Sequence, residues 1–189
     1  AYDEFFAHQL TLAIARQSKK MSLGIASISD GSYIKKLLSS LPFSPTDAQI
    51  NAKNEIINDI SKPFRMNRLL QGDVGSGKTL VAIMAMLSIV EAGGQAALMA
   101  PSEILARQHF TTLNEMLINF DLNIGILTGR DKGVQRGAIL SKLQSGEIDI
   151  LIGTHALFQS DVVYSDLRLS IIDEQHRFGV RQRMELTEK

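Results

Sequence analysis

A regular alternation of apolar strands and helices occupies the chain from Asn67 onward, and it constrains the fold more than any other feature. Short apolar runs bounded by Gly, Pro or polar residues alternate with longer stretches of helical periodicity. The predicted strands are 68–71, 96–100, 123–128, 148–153 and 167–173, and the predicted helices between them are 78–92, 102–119, 132–144 and a short turn at 156–159. Because such strands must be covered on both sides, the pattern predicts an α/β fold with a mainly parallel sheet and helices on both faces.

The residues ahead of this alternation have a different character. Residues 3–20 predict an amphipathic helix, residues 21–32 are rich in Ser and Gly, and a short helix is expected near 33–40. A further helix is predicted over 46–61 with Thr46 as its N-cap. We therefore predict an N-terminal helical linker over residues 1–40, followed by the α/β domain over 41–189.

The segment between the first predicted strand and helix fits the pattern G-x-x-x-x-G-K-[ST], the phosphate-binding loop of ATP- and GTP-driven proteins. Its residues are Gly72, Asp73, Val74, Gly75, Ser76, Gly77, Lys78 and Thr79. The glycines let the backbone approach an anion, and the amides of such a loop form an anion nest at a helix N-terminus. Lys78 supplies positive charge for the β- and γ-phosphates, and the Thr79 hydroxyl can hold Mg²⁺. ATP and Mg²⁺ are therefore the predicted ligands.

Two carboxylates follow the last predicted strand directly. Asp173 can hold the metal, and Glu174 can orient or deprotonate the attacking water. His176 lies close behind and could sense the γ-phosphate, although a lone histidine is usually an ordinary surface or core residue. Since the carboxyl ends of parallel strands share one edge of the sheet, we expect the acidic pair to face the phosphate loop.

The amino-acid composition limits the classes of function that the chain can have. The chain is 44% hydrophobic and 21% charged with zero formal net charge, as in ordinary soluble globular proteins, so any nucleic-acid binding must use local patches. No cysteine is present, which excludes disulfides and Cys-ligated zinc. The longest apolar runs reach about ten residues, too short for a membrane span, and the N-terminus lacks the basic region of a signal peptide.

Five segments resemble motifs I, Ia, Ib, Ic and II of the superfamily 2 helicases, in that order. They are GDVGSGKT at 72–79, APSEILARQH at 100–109, LTGR at 127–130, GTHALFQ at 153–159 and DEQHRFGVRQR at 173–183. The first and last resemble the RecG family, bacterial ATP-dependent DNA helicases that remodel stalled replication forks and migrate branched junctions. The segment containing Phe43 and Gln49 is similar to that family's adenine-recognition motif. Residues 3–16 are similar to its linker helix between a DNA-binding wedge domain and the motor.

The resemblance implies a RecA-like P-loop NTPase lobe, the first of two motor lobes, in a bacterial cytoplasmic protein associated with the nucleoid. We expect the lobe to be C-terminally truncated here, with the wedge domain and the second RecA-like lobe missing, so the chain alone should hydrolyse ATP hardly at all. The expected partner is branched or forked double-stranded DNA, with no membrane. Residues similar to the family's DNA-tracking positions are Pro101, Ser102, Gln108, Thr128, Arg130 and Thr154. Residues that could relay the nucleotide state to DNA are Gln175, Arg177, Arg181 and Arg183.

Several alternatives remain open at this point. Gln49 could be a solvated helix side chain, Ser102 an N-cap, and the basic group of Arg130, Lys132 and Arg136 a solvated face. The related transcription–repair coupling translocases typically carry a bulky aromatic at the position of Ser76 and Glu at that of Gln175. A nucleotide-switch module without enzymatic work is the alternative from another class, although such a switch could dispense with Glu174.

Overall fold

The computed structural model describes residues 23–174, so the helix predicted over 3–20 lies outside the described residues. The helices are α1 Ser32–Ser40, α2 Asp47–Ile60, α3 Lys78–Glu91, α4 Glu103–Met116 and α5 Gly133–Gln144. The strands are β1 Gln95–Met99, β2 Ile124–Leu127, β3 Ile150–Gly153 and β4 Leu167–Ile172, and a 3₁₀ turn spans His155–Phe158. Within residues 23–174, no helix is long and apolar enough to cross a membrane.

The four strands form one parallel sheet in the order β2-β3-β1-β4. In the register of the central pair, Ala96 lies opposite Ile150 and Met99 opposite Gly153. Each strand after β1 is reached through a connection that crosses over the sheet, and this brings all four carboxyl ends to the same edge. The predicted mainly parallel sheet is confirmed.

Both faces of the sheet are covered, as the continuous apolar strands require. Successive side chains of β1 enter two separate cores, because neighbouring residues of a strand point to opposite faces. Ala96 and Leu98 belong to the larger core, which α1, α2, α3 and α4 complete. Ala97 and Met99 belong to the smaller core, which α5 and the 3₁₀ turn cover. The predicted arrangement of helices on both faces is therefore confirmed.

The strand predicted at 68–71 is wrong, since these residues form no strand in the structure. Arg68 is instead held by ion pairs to Glu55 and Asp59 on α2, and the Leu69 side chain is 64% exposed. The pattern is too short to distinguish a strand from an extended segment fixed by side-chain contacts. The chain therefore reaches the phosphate loop along α2, and not from a strand of the sheet.

The short helix α1 is fastened to the end of α3 by a carboxylate. Glu91 accepts hydrogen bonds from the amides of Gly31 (2.9 Å) and Tyr33 (2.8 Å) and from the Ser32 hydroxyl. A carboxylate at a helix N-terminus satisfies donors that the helix leaves unpaired and complements the macrodipole. With Leu37 completely buried, residues 32–40 share the larger core, although the sequence pattern assigned them to the linker.

Candidate nucleotide-binding site

The phosphate loop has the backbone conformation that its glycines permit. Gly75 and Gly77 have φ of 81° and 77°, in the left-handed region that glycine adopts without a steric penalty. Gly77 is also the N-cap of α3, so the loop opens onto a helix N-terminus. A Cβ on Gly77 would collide with the side-chain amide of Gln49, and one on Gly72 would lie 2.7 Å from the Ser76 hydroxyl. A side chain at either position would therefore displace the neighbouring Gln49 or Ser76 side chain.

Lys78 folds back over the loop that precedes it. Its Nζ donates hydrogen bonds to the carbonyl oxygens of Gly72 and Asp73, both at 2.7 Å. Phosphate oxygens carry negative charge and neutral carbonyls do not, so Coulomb attraction favours transfer of the ammonium group from the carbonyls to a bound phosphate. The geometry therefore suits Lys78 for binding the phosphates of a nucleotide.

The acidic pair lies where β4 ends, at the edge of the sheet predicted for the site. The Asp173 amide donates to the Met99 carbonyl (2.9 Å), which continues the pairing of β4 with β1 by one residue. The Glu174 amide then donates to Asp173 Oδ1 (2.9 Å). Glu174 has φ of 47°, which is uncommon for a residue with a side chain and costs of order 1 kcal/mol or more. Such backbone strain is typical of functional sites.

The surroundings of the Asp173 carboxylate favour its ionised form. A hydrogen bond from His109 holds the pKa of Asp173 below its ordinary value, while partial burial opposes the shift. The Glu174 amide and the positive charge of Lys78 act in the same direction as His109. Asp173, at the end of β4, therefore lies within electrostatic range of the phosphate-loop lysine.

The oxygen donors at this site fit Mg²⁺. Within residues 23–174, no group of three or more His, Cys, Asp or Glu side chains is placed to hold a metal ion. Magnesium commonly takes one or two protein oxygens, with phosphate oxygens and water completing its octahedron. Thr79, in the first turn of α3, and Asp173 supply oxygens of this kind.

Gln49 is tied to the phosphate loop by its side chain. Its Nε2 donates to the Ser76 carbonyl (2.9 Å), and its Oε1 accepts from the Thr46 amide (2.9 Å). With the Thr46 hydroxyl accepting from the Gln49 amide, this completes a capping box at the start of α2. An amide group has two donors and two acceptor sites, so Nε2 and Oε1 each keep one for adenine. Phe43 is 55% exposed. The adenine-binding role of both residues stays a prediction.

The segments predicted to contact DNA meet at the carboxyl edge of the sheet. Arg130 Nε lies 3.0 Å from Glu103 Oε2, which brings the loop after β2 to the start of α4. The Thr154 amide donates to the Leu127 carbonyl (3.4 Å) and joins the segment after β3 to the same loop. The structure therefore brings together the three segments, which are far apart in sequence.

The individual side chains differ in how they could reach a partner. Arg130 is 84% exposed at its side chain, and Gln108 is exposed on α4. Ser102 accepts a hydrogen bond from the Leu105 amide (3.3 Å), as an N-cap does, and Pro101 precedes it, half-buried.

The two predicted threonines lie inside the protein. Thr128 is completely buried and donates its hydroxyl to Asp131 Oδ2 (2.9 Å), while Thr154 is 8% exposed. Arg136, which the sequence grouped with Arg130, is engaged by Asp161. The described geometry of these three residues thus favours a role in shaping the loops.

Some predicted site residues cannot be placed, and one site residue was not predicted. Gln175, His176, Arg177, Arg181 and Arg183 lie outside the described residues. His109 on α4 contacts Asp173 Oδ2 through its Nε2 at 2.9 Å. It belongs to the segment 100–109 that resembles motif Ia, but nothing in a single sequence pairs it with a carboxylate that lies far along the chain.

The phosphate loop at a helix N-terminus, beside an acidic pair at the end of a parallel strand, defines a nucleotide-binding α/β lobe. The DEAD/DEAH box helicase family model matches residues 46–189. The chain belongs to the DEAD/DEAH box helicase family. The prediction from the motifs that the chain is a helicase lobe is thereby confirmed.

The particular relatives are RecG proteins. The chain aligns over its whole length with proteins named ATP-dependent DNA helicase RecG, at 48% identity in Staphylococcus epidermidis, 46% in Bacillus subtilis and 45% in Pasteurella multocida. It spans only 27–28% of the length of these relatives. A solved structure of RecG bound to a three-way DNA junction matches 95% of this chain and 25% of that one, with a TM-score of 0.87 and 45% identity. The predicted RecG resemblance is confirmed.

Proposed function

We propose that this chain is the ATP-binding motor lobe of an ATP-dependent DNA helicase that remodels stalled replication forks and migrates branched DNA in recombination and repair. The observation that carries the proposal is that Asp173–Glu174 follow β4 directly, while the phosphate loop opens onto α3, a helix packed on the same sheet, whose Lys78 acts electrostatically on Asp173. End-to-end similarity to proteins named ATP-dependent DNA helicase RecG supports it. Residues 41–189 constitute the lobe in this proposal, and residues 1–40 the helical linker that precedes it, whose helix α1 packs into the larger core of the lobe.

In the proposed mechanism the phosphate loop binds the nucleotide. The amides of the loop and Lys78 hold the β- and γ-phosphates, and Thr79 and Asp173 hold Mg²⁺. When bound, Mg²⁺ neutralises the charge that develops on the phosphates. Glu174 orients or deprotonates the attacking water, since a carboxylate within hydrogen-bond reach of water is a competent general base. The residues proposed to hold adenine are Phe43 and Gln49, and His176 is proposed to sense the γ-phosphate.

The DNA partner is proposed to be a branched or forked duplex, tracked along its backbone. Exposed Arg130 and Gln108 are the side chains best placed for phosphate contact, and Ser102 can add a hydroxyl. The similarity to a RecG structure with a three-way junction supports this class of partner. A second RecA-like lobe and a wedge domain would be its intramolecular partners, with cytoplasmic, nucleoid-associated localisation.

ATP turnover by the whole protein tests the proposal, measured with no DNA, with linear duplex and with forked duplex. Strong stimulation by forked over linear duplex is expected. Equal stimulation by linear duplex would favour a transcription–repair coupling translocase instead. Turnover that responds to no DNA would contradict a motor on DNA and leave a nucleotide-switch module.

A further inference from the structure

His109 is a partly buried polar side chain in direct contact with the proposed metal ligand. It lies on α4, its side chain is 15% exposed, and its Nε2 is 2.9 Å from Asp173 Oδ2. An ionised carboxylate can only accept a hydrogen bond, so the ring must carry its proton on Nε2. The contact joins two elements that are not neighbours in the chain, which makes it a property of the tertiary structure.

The contact completes a set of hydrogen bonds around the carboxylate. The Glu174 amide donates to Oδ1, and His109 donates to Oδ2, so each oxygen has one donor. Each carboxylate oxygen accepts about two hydrogen bonds, so one site remains on each for Mg²⁺ or a metal-bound water. The peptide of Asp173 is fixed to β1 by the Met99 carbonyl. With backbone and both oxygens fixed, the carboxylate has one orientation.

The same helix carries side chains that are proposed to contact DNA. Ser102 caps α4, Gln108 precedes His109, and Glu103 in the first turn pairs with Arg130. Because an α-helix moves as a rigid unit over this length, a displacement of its first turn reaches His109, and through it Asp173.

We propose that His109 is a positioning residue, which holds the Asp173 carboxylate in the orientation that binds Mg²⁺ and connects α4 to the nucleotide site. The inference rests on the proposed function, since it assumes that Asp173 holds the metal of a bound nucleotide. Ligating carboxylates are commonly oriented by such hydrogen bonds, and losing one typically costs about 10–100-fold in metal affinity.

Two substitutions separate hydrogen bonding from packing. His109→Phe keeps a ring of similar size and removes the donor, whereas His109→Gln keeps an N–H donor at a similar reach. Thr111→Ala changes an exposed residue of the same helix and serves as the matched control. For each variant of the whole protein, the Mg²⁺ concentration that half-saturates binding of a fluorescent ATP analogue is measured. The melting temperature without Mg²⁺ is measured in parallel.

We expect H109F, whose melting temperature should fall only by what one lost hydrogen bond to Asp173 costs, to raise the half-saturating Mg²⁺ concentration about tenfold or more. H109Q should restore it to within about threefold, and T111A should match the unaltered protein. If H109F is too poorly folded to measure, His109→Leu replaces it as the donorless variant.

An unchanged Mg²⁺ requirement in the donorless variant would overturn the inference and leave the proposed function intact. An equal loss in H109F and H109Q with a lowered melting temperature would also overturn it, by showing a packing role. Absence of Mg²⁺-dependent nucleotide binding in the unaltered protein would instead refute the proposed function itself.

Discussion

Replacing Gly77 by alanine tests the contact between the phosphate loop and α2. The φ of 77° at Gly77 costs an alanine about 1–2 kcal/mol. The added Cβ also collides with the Gln49 amide, which bonds Ser76 and closes the capping box with Thr46. Losing these two partly exposed hydrogen bonds costs about 0.5–1 kcal/mol each. The expected loss in the free energy of unfolding is therefore about 2–4 kcal/mol.

Gly75→Ala is the matched control. Its φ of 81° carries the same backbone cost of about 1–2 kcal/mol, but an added Cβ would meet nothing within 4 Å. Gly93, with φ of 82° and open space around it, provides a second control outside the loop. The loss in the free energy of unfolding should thus be about 1–2 kcal/mol larger for Gly77→Ala than for Gly75→Ala, and this difference is the part due to Gln49.

Urea unfolding followed by circular dichroism measures these differences at constant m-value. In a Gln49→Ala background the excess cost of Gly77→Ala should disappear, since the colliding amide is gone. A fluorescent ATP analogue should bind more weakly to G77A than to G93A, because only the former distorts the loop. Equal destabilisation by G77A and G75A, within about 0.5 kcal/mol, would show that the contact between Gly77 and Gln49 does not affect stability.

Three further predictions concern charge. Lys78→Ala should abolish measurable ATP binding at micromolar protein, since the nucleotide loses its cation; binding comparable to the unaltered protein in a filter or fluorescence assay would contradict this. Arg130→Ala should weaken DNA binding alike for all sequences and reduce the salt slope by about one, and an unchanged slope would count against a phosphate contact. The hydrogen bond from Arg68 lowers the pKa of Asp59 in the folded protein. The pair therefore stabilises the fold at pH values above the unfolded-state pKa of about 3.9. This stabilisation is lost as the pH falls through the lower pKa of the folded state. Arg68→Gln should therefore lower stability at neutral pH and flatten its decline in acid, and a parallel curve in pH-dependent unfolding would argue otherwise.

The sequence predicted those features that follow from local pattern. Apolar strands separated by helices indicated the parallel sheet, and the position of Asp173–Glu174 directly after the last strand indicated that this pair lies at its carboxyl edge. The N-cap at Ser102 was also readable, because capping depends on residues within one helical turn.

What the sequence could not predict depends on tertiary contacts. Arg68 is held by α2, so the segment 68–71 does not form the strand that its composition favours. The burial of Thr128 depends on the packing around its loop, and His109 pairs with Asp173 although they lie 64 residues apart, so no local pattern encodes either feature. Some of the hydroxyl groups that the motif resemblance assigned to DNA contact form hydrogen bonds within the protein.

Glu174→Gln in the whole protein with forked DNA tests most directly whether the site at this edge of the sheet hydrolyses ATP. Fluorescent ATP binding and steady-state turnover are measured on the same preparation. We expect binding within about threefold of the unaltered protein and turnover reduced at least about a hundredfold, because glutamine cannot accept a proton from water. Turnover close to that of the unaltered protein would show that Glu174 is not the base.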